Sequence, residues 1–216
     1  MEQLTRPGQI VILNGAPRSG KSSIVTVIQE TFDGPWMNLG VDTFVRHVTP
    51  MRYRPGIGLR PGEQGHALEP LIPTFFAGMY ESIAAHSRLG LNVVVDVGHH
   101  DANPEILVDS ARRLVGLPVL FVGVRCPIEV IMERRNAGQA GREGEYATGS
   151  SAEPIPPPVR LWQCAVHSPG IYDLEVDTSL LSPEECAEVI RRRLEDGPAP
   201  SAFQHLAERP AKHTDE

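Results

Sequence analysis

No apolar run in this 216-residue sequence approaches the ~18 residues that a membrane-spanning helix requires. Cysteine is scarce: Cys126, Cys164 and Cys186 form an odd set without metal-ligand spacing, which excludes a disulfide scaffold or a zinc module and fits a reducing compartment. There is no excess of positive charge. Twenty Lys and Arg against 27 Asp and Glu leave a net charge of −7, which argues against bulk attraction to nucleic acid. Aromatic residues make up only 6% of the chain. The opening residues, MEQLTRPGQ, lack the apolar segment of a signal peptide, so the expected location is the cytoplasm.

What the chain does have is glycine and proline, 20 of each, on an ordinary globular background of 41% hydrophobic and 22% charged residues. The length suits one domain with a full three-layer core. Its most informative stretch is Gly15-Ala16-Pro17-Arg18-Ser19-Gly20-Lys21-Ser22, which has the spacing G-x-x-x-x-G-K-S of a phosphate-binding loop. Glycines let the backbone turn its N–H groups inward around an anion, and the following helix adds its positive end. Lys21 supplies a mobile charge for the β- and γ-phosphates, and the Ser22 hydroxyl can ligate Mg²⁺. Ser23 continues the run into the helix.

Context supports the match. Gln9–Asn14 (QIVILN) has the composition of a buried parallel strand, and Ile24, Val25, Val27 and Ile28 form a helical apolar face ending near Phe32. Further strands are predicted at Trp36–Asp42, Leu91–Val97, Pro118–Cys126 and Tyr172–Thr178. Helices are predicted at 66–89, Pro104–Val115, Pro127–Asn136, Val159–Val166 and from the cap Ser182 to about Leu194. A further helix begins at Thr43, capped by Asp42 or Thr43. This alternation predicts an α/β fold with a five-stranded parallel sheet covered on both faces, its ligands beyond the carboxyl ends of the strands. The expected organisation is a catalytic domain over 1–196, a substrate flap near 49–65, a lid near 134–158 and a flexible tail over 197–216.

Several side chains carry candidate chemistry. Asp42 can take the proton from an attacking hydroxyl, or serve as a helix cap. Asp96 can hold Mg²⁺ directly or through water, or play a structural part. His99 and His100, followed by Asp101, can line an acceptor pocket or form a plain polar loop. Arg134, Arg135 and Arg142, with Gly138 and Gly141 nearby, suit a lid that closes positive charge over a triphosphate, or a solvated helix end.

Taken together, ILNGAPRSGKSSIV, GVDTF, VVVDV, VGVRC followed by Arg134, and VHSPGIYDLEVDTS resemble the chloramphenicol phosphotransferases over roughly residues 9–194. The resemblance implies a three-layer P-loop NTPase fold of the nucleotide-kinase type, and an O-phosphotransferase using ATP and Mg²⁺. It places the base on Asp42, lid arginines on Arg134 and Arg142, and an adenine-side loop on Asp177, Thr178 and Ser179; Phe44 of GVDTF joins the acceptor site. The segment RYRPGIGLRPGE over 52–63, the Asp96-Val97 pair, the Pro-rich connector to Pro158 and the tail past Gly197 depart from the family pattern. The acceptor expected on this reading is a small hydroxylated molecule: a chloramphenicol-like, other hydroxylated or nucleoside antibiotic, or else a metabolite or nucleotide. A nucleotide-dependent switch with no acceptor is a third reading.

Overall fold

Five short apolar segments form the strands of one parallel sheet in a computed structural model that describes residues 6–54, 68–138 and 146–210. In chain order the main elements are β1 (Ile10–Asn14), α1 (Lys21–Thr31), β2 (Trp36–Asn38), α2 (Val41–Thr43), α3 (Ile72–Arg88), β3 (Asn92–Val97), α4 (Pro104–Arg113), β4 (Val119–Arg125), α5 (Ile128–Asn136), α6 (Pro157–Ala165), β5 (Leu174–Asp177), α7 (Pro183–Asp196) and α8 (Ala202–Ala207). The strand order is β2-β3-β1-β4-β5, every pairing parallel.

Period-two alternation divides the strand side chains between two cores. Ile10, Ile12, Val93, Val95 and Phe121 face α3, α4 and α8, whereas Val11, Leu13, Val94, Leu120 and Val122 face α1 and α7. These runs are apolar on both faces because both are covered. The result is the expected three-layer α/β arrangement. A third cluster, including Ile131, Met132, Val159 and Trp162, packs α5 and α6 beyond the carboxyl ends of the strands. The α7 start is a full capping box: Ser182 Oγ accepts from the Glu185 N–H at 3.2 Å, and Glu185 Oε2 accepts from the Ser182 N–H at 2.8 Å.

Two expectations are corrected. β2 stops at Asn38, so Asp42 lies in the first turn of α2 and not at a strand end. The Asn38 side chain accepts from the Gly40 N–H at 3.0 Å, which turns the chain out of the sheet. The helix cap is Gly40, so Asp42 does not serve as a cap. The segment past Gly197 is not loosely attached through its described part. There α8 inserts Phe203 and Leu206 into the core, 5% and 1% exposed. Of the flap, 55–65 lie outside the described residues. So do 139–145 of the lid, with Gly141 and Arg142, and 211–216 of the tail.

Candidate active site

The phosphate-binding loop is built as its sequence requires. Gly20 caps α1 with φ 96°, a left-handed conformation that glycine adopts without strain. Arg18 also has positive φ, at 71°. Lys21 Nζ donates to the carbonyls of Gly15 and Ala16 at 2.7 and 2.9 Å, which holds the ammonium at the loop. Thr178 fastens the loop from outside: its hydroxyl donates to the Ser19 carbonyl at 2.7 Å. Arg134, in the last turn of α5, donates to Thr178 Oγ1 at 3.1 Å, to the Thr178 carbonyl at 2.7 Å and to the Arg18 carbonyl at 3.3 Å. Arg18 returns the contact by donating to the Arg134 carbonyl, and to that of Gly138 at 3.2 Å. Loop and lid base are thus laced together by two guanidinium groups.

Asp96, at the end of β3, is 9% exposed, and its Oδ2 accepts from the Ser22 hydroxyl at 2.8 Å. A carboxylate and a serine hydroxyl side by side at the loop form a hard oxygen pair of the kind that suits Mg²⁺. No group of three or more His, Cys, Asp or Glu side chains suited to a metal exists among the described residues.

One cavity of about 710 Å³ joins these parts. Gly15, Pro17, Arg18, Gly20, Lys21, Ser22, Ser23, Arg134 and Thr178 line one end, with Leu181 and Pro183 beside them. The other end is walled by Asp42, Phe44, Val45, Ile72, Phe75, Phe76, Met79, Ile106 and Trp162, with Asp96, His99 and His100 between the two. Of the sequence candidates, Ala16 and Ser19 are buried, 3% and 1% exposed, and are not among the lining residues. Asp177 and Ser179 also stand back from the cavity, where Asp177 Oδ1 accepts from the Ser179 N–H and hydroxyl at 2.8 and 2.6 Å. Arg142 lies outside the described residues.

Burial disfavours the charged form of both histidines: His99 is pushed down to about 3, and His100 is lowered by its desolvation against the opposing pull of Asp101 and Glu105. Lys and Arg are absent from the apolar end among the described residues; the cavity's lining Lys and Arg side chains among those residues, Arg18, Lys21 and Arg134, belong to the phosphate end.

Sequence reasoning did not place Phe75, Phe76 and Met79 in the site. They belong to the apolar stripe of α3, and a stripe does not reveal which of its turns overhangs a cavity. It also missed Asn14, whose side chain donates to the Val166 carbonyl and to Tyr172 Oη, both at 2.9 Å, and accepts from the His99 N–H at 2.7 Å. A lone amide closing an apolar strand was the available signal.

Comparison with known proteins agrees with this fold. The model of the chloramphenicol phosphotransferase-like protein family matches residues 8–195. Two curated proteins of Mycobacterium tuberculosis (strains CDC 1551 and H37Rv), provisionally named O-phosphotransferases, are each 27% identical over 217 residues, 94% of this chain and 89% of the relative. Among solved structures, an unliganded sugar kinase from Janibacter gives a TM-score of 0.58 at 18% identity, covering 89% of this chain and 98% of its own. The tunicamycin resistance protein of Deinococcus radiodurans gives 0.57 at 18% with the same coverage. The APS kinase of M. tuberculosis, in complex with AMPPNP and APS, gives 0.56 at 17%, covering 88% and 99%. At these identities the structures support the P-loop kinase fold. No helix among the described residues is long and apolar enough to cross a membrane.

Proposed function

From the premise that this chain belongs to the chloramphenicol phosphotransferase-like family, and is a phosphotransferase acting on hydroxyl groups, we propose that it transfers the γ-phosphate of ATP to an uncharged alcohol with an apolar body, and so inactivates a hydroxylated antibiotic in the cytoplasm. The carrying observation is one cavity with a phosphate loop at one end, an apolar chamber without Lys or Arg among the described residues at the other, and Asp42 in its wall.

In this reading the Asp42 carboxylate takes the acceptor's hydroxyl proton, the alcohol oxygen bonds to the γ-phosphorus, and the bridging P–O bond to the β-phosphate breaks, releasing ADP. The loop N–H groups, Lys21 and Ser22 hold the phosphates, with Ser23 at the start of the helix. Arg134 adds positive charge, Arg142 joins it from the lid, and Thr178, flanked by Asp177 and Ser179, bounds the nucleotide side. Ser22 and Asp96 would hold Mg²⁺, which supplies charge neutralisation at the phosphates. Phe44, His99 and His100 contact the acceptor.

The alternative is a metabolic kinase acting on an acid such as shikimate or APS, acceptors named for the shikimate kinase and APS kinase that share this fold. A carboxylate or sulfate would have to shed water into a chamber whose lining acids among the described residues are Asp42 and Asp96 and where burial keeps His99 neutral, an uncompensated desolvation cost. Incubation with ATP, Mg²⁺ and a panel of chloramphenicol, nucleoside antibiotics, gluconate and shikimate tests the proposal. An 80 Da gain, the mass of one transferred phosphoryl group (~80 Da), is expected on an uncharged member and on neither acid. Faster turnover of an acid overturns the acceptor class.

Gly40 is predicted to matter for the metal-binding pair. Its φ of −64° suits any residue, but a Cβ there would lie 1.8 Å from Asp96 Oδ1. Gly40→Ala must therefore swing the Asp96 carboxylate away from Ser22. The apparent Mg²⁺ requirement in an ADP-release assay is expected to rise at least about tenfold, the scale of losing a supporting contact at a metal site. An unchanged Mg²⁺ titration would show that Asp96 does not help to hold the ion.

A further inference from the structure

His99 is held more firmly than a lining residue needs to be. Asn14 grips its backbone, accepting from its N–H at 2.7 Å and donating to its carbonyl at 3.4 Å. The imidazole is 4% exposed, lies 5.3 Å from the Phe76 ring, and has its Nε2 2.7 Å from the Tyr80 hydroxyl. Tyr80 is fully buried.

That geometry favours one placement of the protons. A separation of 2.7 Å is short for an N–H donor and normal for an O–H donor. Neutral imidazole nitrogen is also the better acceptor of the pair. Tyr80 therefore donates to Nε2, which leaves the imidazole proton on Nδ1. Nδ1 has no protein partner among the described residues, is not among the sealed polar atoms, and belongs to a ring that lines the cavity. His100 differs: its Nδ1 is sealed off against the protein.

We propose that His99 is a specificity-determining residue, a neutral donor of fixed polarity whose Nδ1–H binds an uncharged oxygen (a second hydroxyl, ether, carbonyl or nitro group) on the alcohol that is phosphorylated. The proposal rests on the kinase reading above. It predicts that acceptors carry two oxygen functions, one at Asp42 for reaction and one at His99 for orientation.

Two measurements test it. Long-range ¹⁵N–¹H correlation spectra of the histidine rings do not depend on activity. At neutral pH they are expected to show His99 neutral with the proton on Nδ1, and Tyr80→Phe is expected to lose that preference. A proton on Nε2, or an imidazolium, overturns the polarity. The second uses two uncharged probes differing by one oxygen, 1-phenyl-1,2-ethanediol and 2-phenylethanol, in ADP-release and calorimetric assays. The wild type is expected to favour the diol about tenfold. His99→Asn, whose amide places an N–H near the Nδ1 position, should keep the preference and His99→Leu should lose it, with the ATP KM unchanged in both. Equal affinity for the two alcohols, including no binding of either at millimolar concentration, overturns the subsite. Failure of the kinase reading is separable, since it appears as no phosphoryl transfer from ATP to any alcohol, whereas the histidine spectra and the calorimetric preference are read without turnover.

Discussion

Replacing Asp42 by asparagine is expected to slow phosphoryl transfer by about 10²–10⁴-fold while changing nucleotide affinity by less than about 1 kcal/mol. The two halves of this expectation have different origins. Asparagine keeps the size and polarity of the side chain but cannot take up a proton, so only the step in which the acceptor hydroxyl is deprotonated suffers. The phosphate end is assembled from the loop backbone, Lys21, Ser22 and the Arg134–Thr178 lacing, groups that the exchange of a carboxylate for an amide at Asp42 leaves in place. Transfer is read as ADP release with acceptor present, and nucleotide affinity as calorimetric binding of a non-hydrolysable ATP analogue. Position also favours the assignment. Asp42 lies in the first turn of α2, whose cap is Gly40, so its carboxylate is not committed to capping and it lines the same cavity as Lys21. Turnover of Asp42→Asn equal to wild type would remove the general base from the mechanism. A proportionate loss of nucleotide binding would instead make Asp42 part of the phosphate site.

How much of this was legible in advance follows from how local each signal is. The phosphate loop was legible because its function needs particular residues within eight consecutive positions. The place of Asp96 in the cavity was legible because an acid that closes a buried parallel strand falls at the carboxyl edge of the sheet, beside the phosphate loop. The sheet was legible because strands buried on both faces are apolar throughout. Asp42 was found by type but misplaced by element: WMNLGVD has strand-like composition, and only the Asn38–Gly40 turn shows that the chain leaves the sheet after Asn38. The five-residue turn at Phe44–Val48, closed by Thr49 N–H to the Phe44 carbonyl at 3.0 Å, brings Phe44 and Val45 to the chamber. Such wide turns have no sequence signature and recur at functional sites. His99 was a candidate by type, but its polarity depends on Tyr80 and Asn14, which are 19 and 85 positions away in sequence. No local pattern reports contacts of that separation.

The helix that sequence reasoning missed entirely supports the other large expected effect. Phe203→Ala should destabilise the protein by about 3–5 kcal/mol and lower its melting temperature by roughly 10 °C. A six-residue helix has no stability of its own in water, and its Pro-, Ala- and charge-rich flanks suggest none. What holds α8 comes from elsewhere in the chain. Phe203 packs edge-on against Phe121 at 4.9 Å and stacks with Tyr80 at 6.4 Å. Asp173 Oδ1 accepts from the Ser201 and Ala202 N–H groups at 2.7 and 3.0 Å, while its Oδ2 accepts from the Phe121 N–H at 2.9 Å, tying the helix start to β4. Arg112 of α4 donates to the carbonyls of Ala207 and Arg209 at 3.1 and 2.9 Å, closing the other end. The helix itself lies past residue 195, where the family match stops, while the groups that hold it, Tyr80, Arg112, Phe121 and Asp173, lie within the matched residues. Gln204→Ala, on the exposed side of the same helix, is the control, and its expected effect is within about 0.5 kcal/mol. Chemical denaturation of the two variants beside wild type measures both. A loss below 1 kcal/mol for Phe203→Ala would mean that the sheet face keeps its cover without α8, and that the tail adds length but no stability.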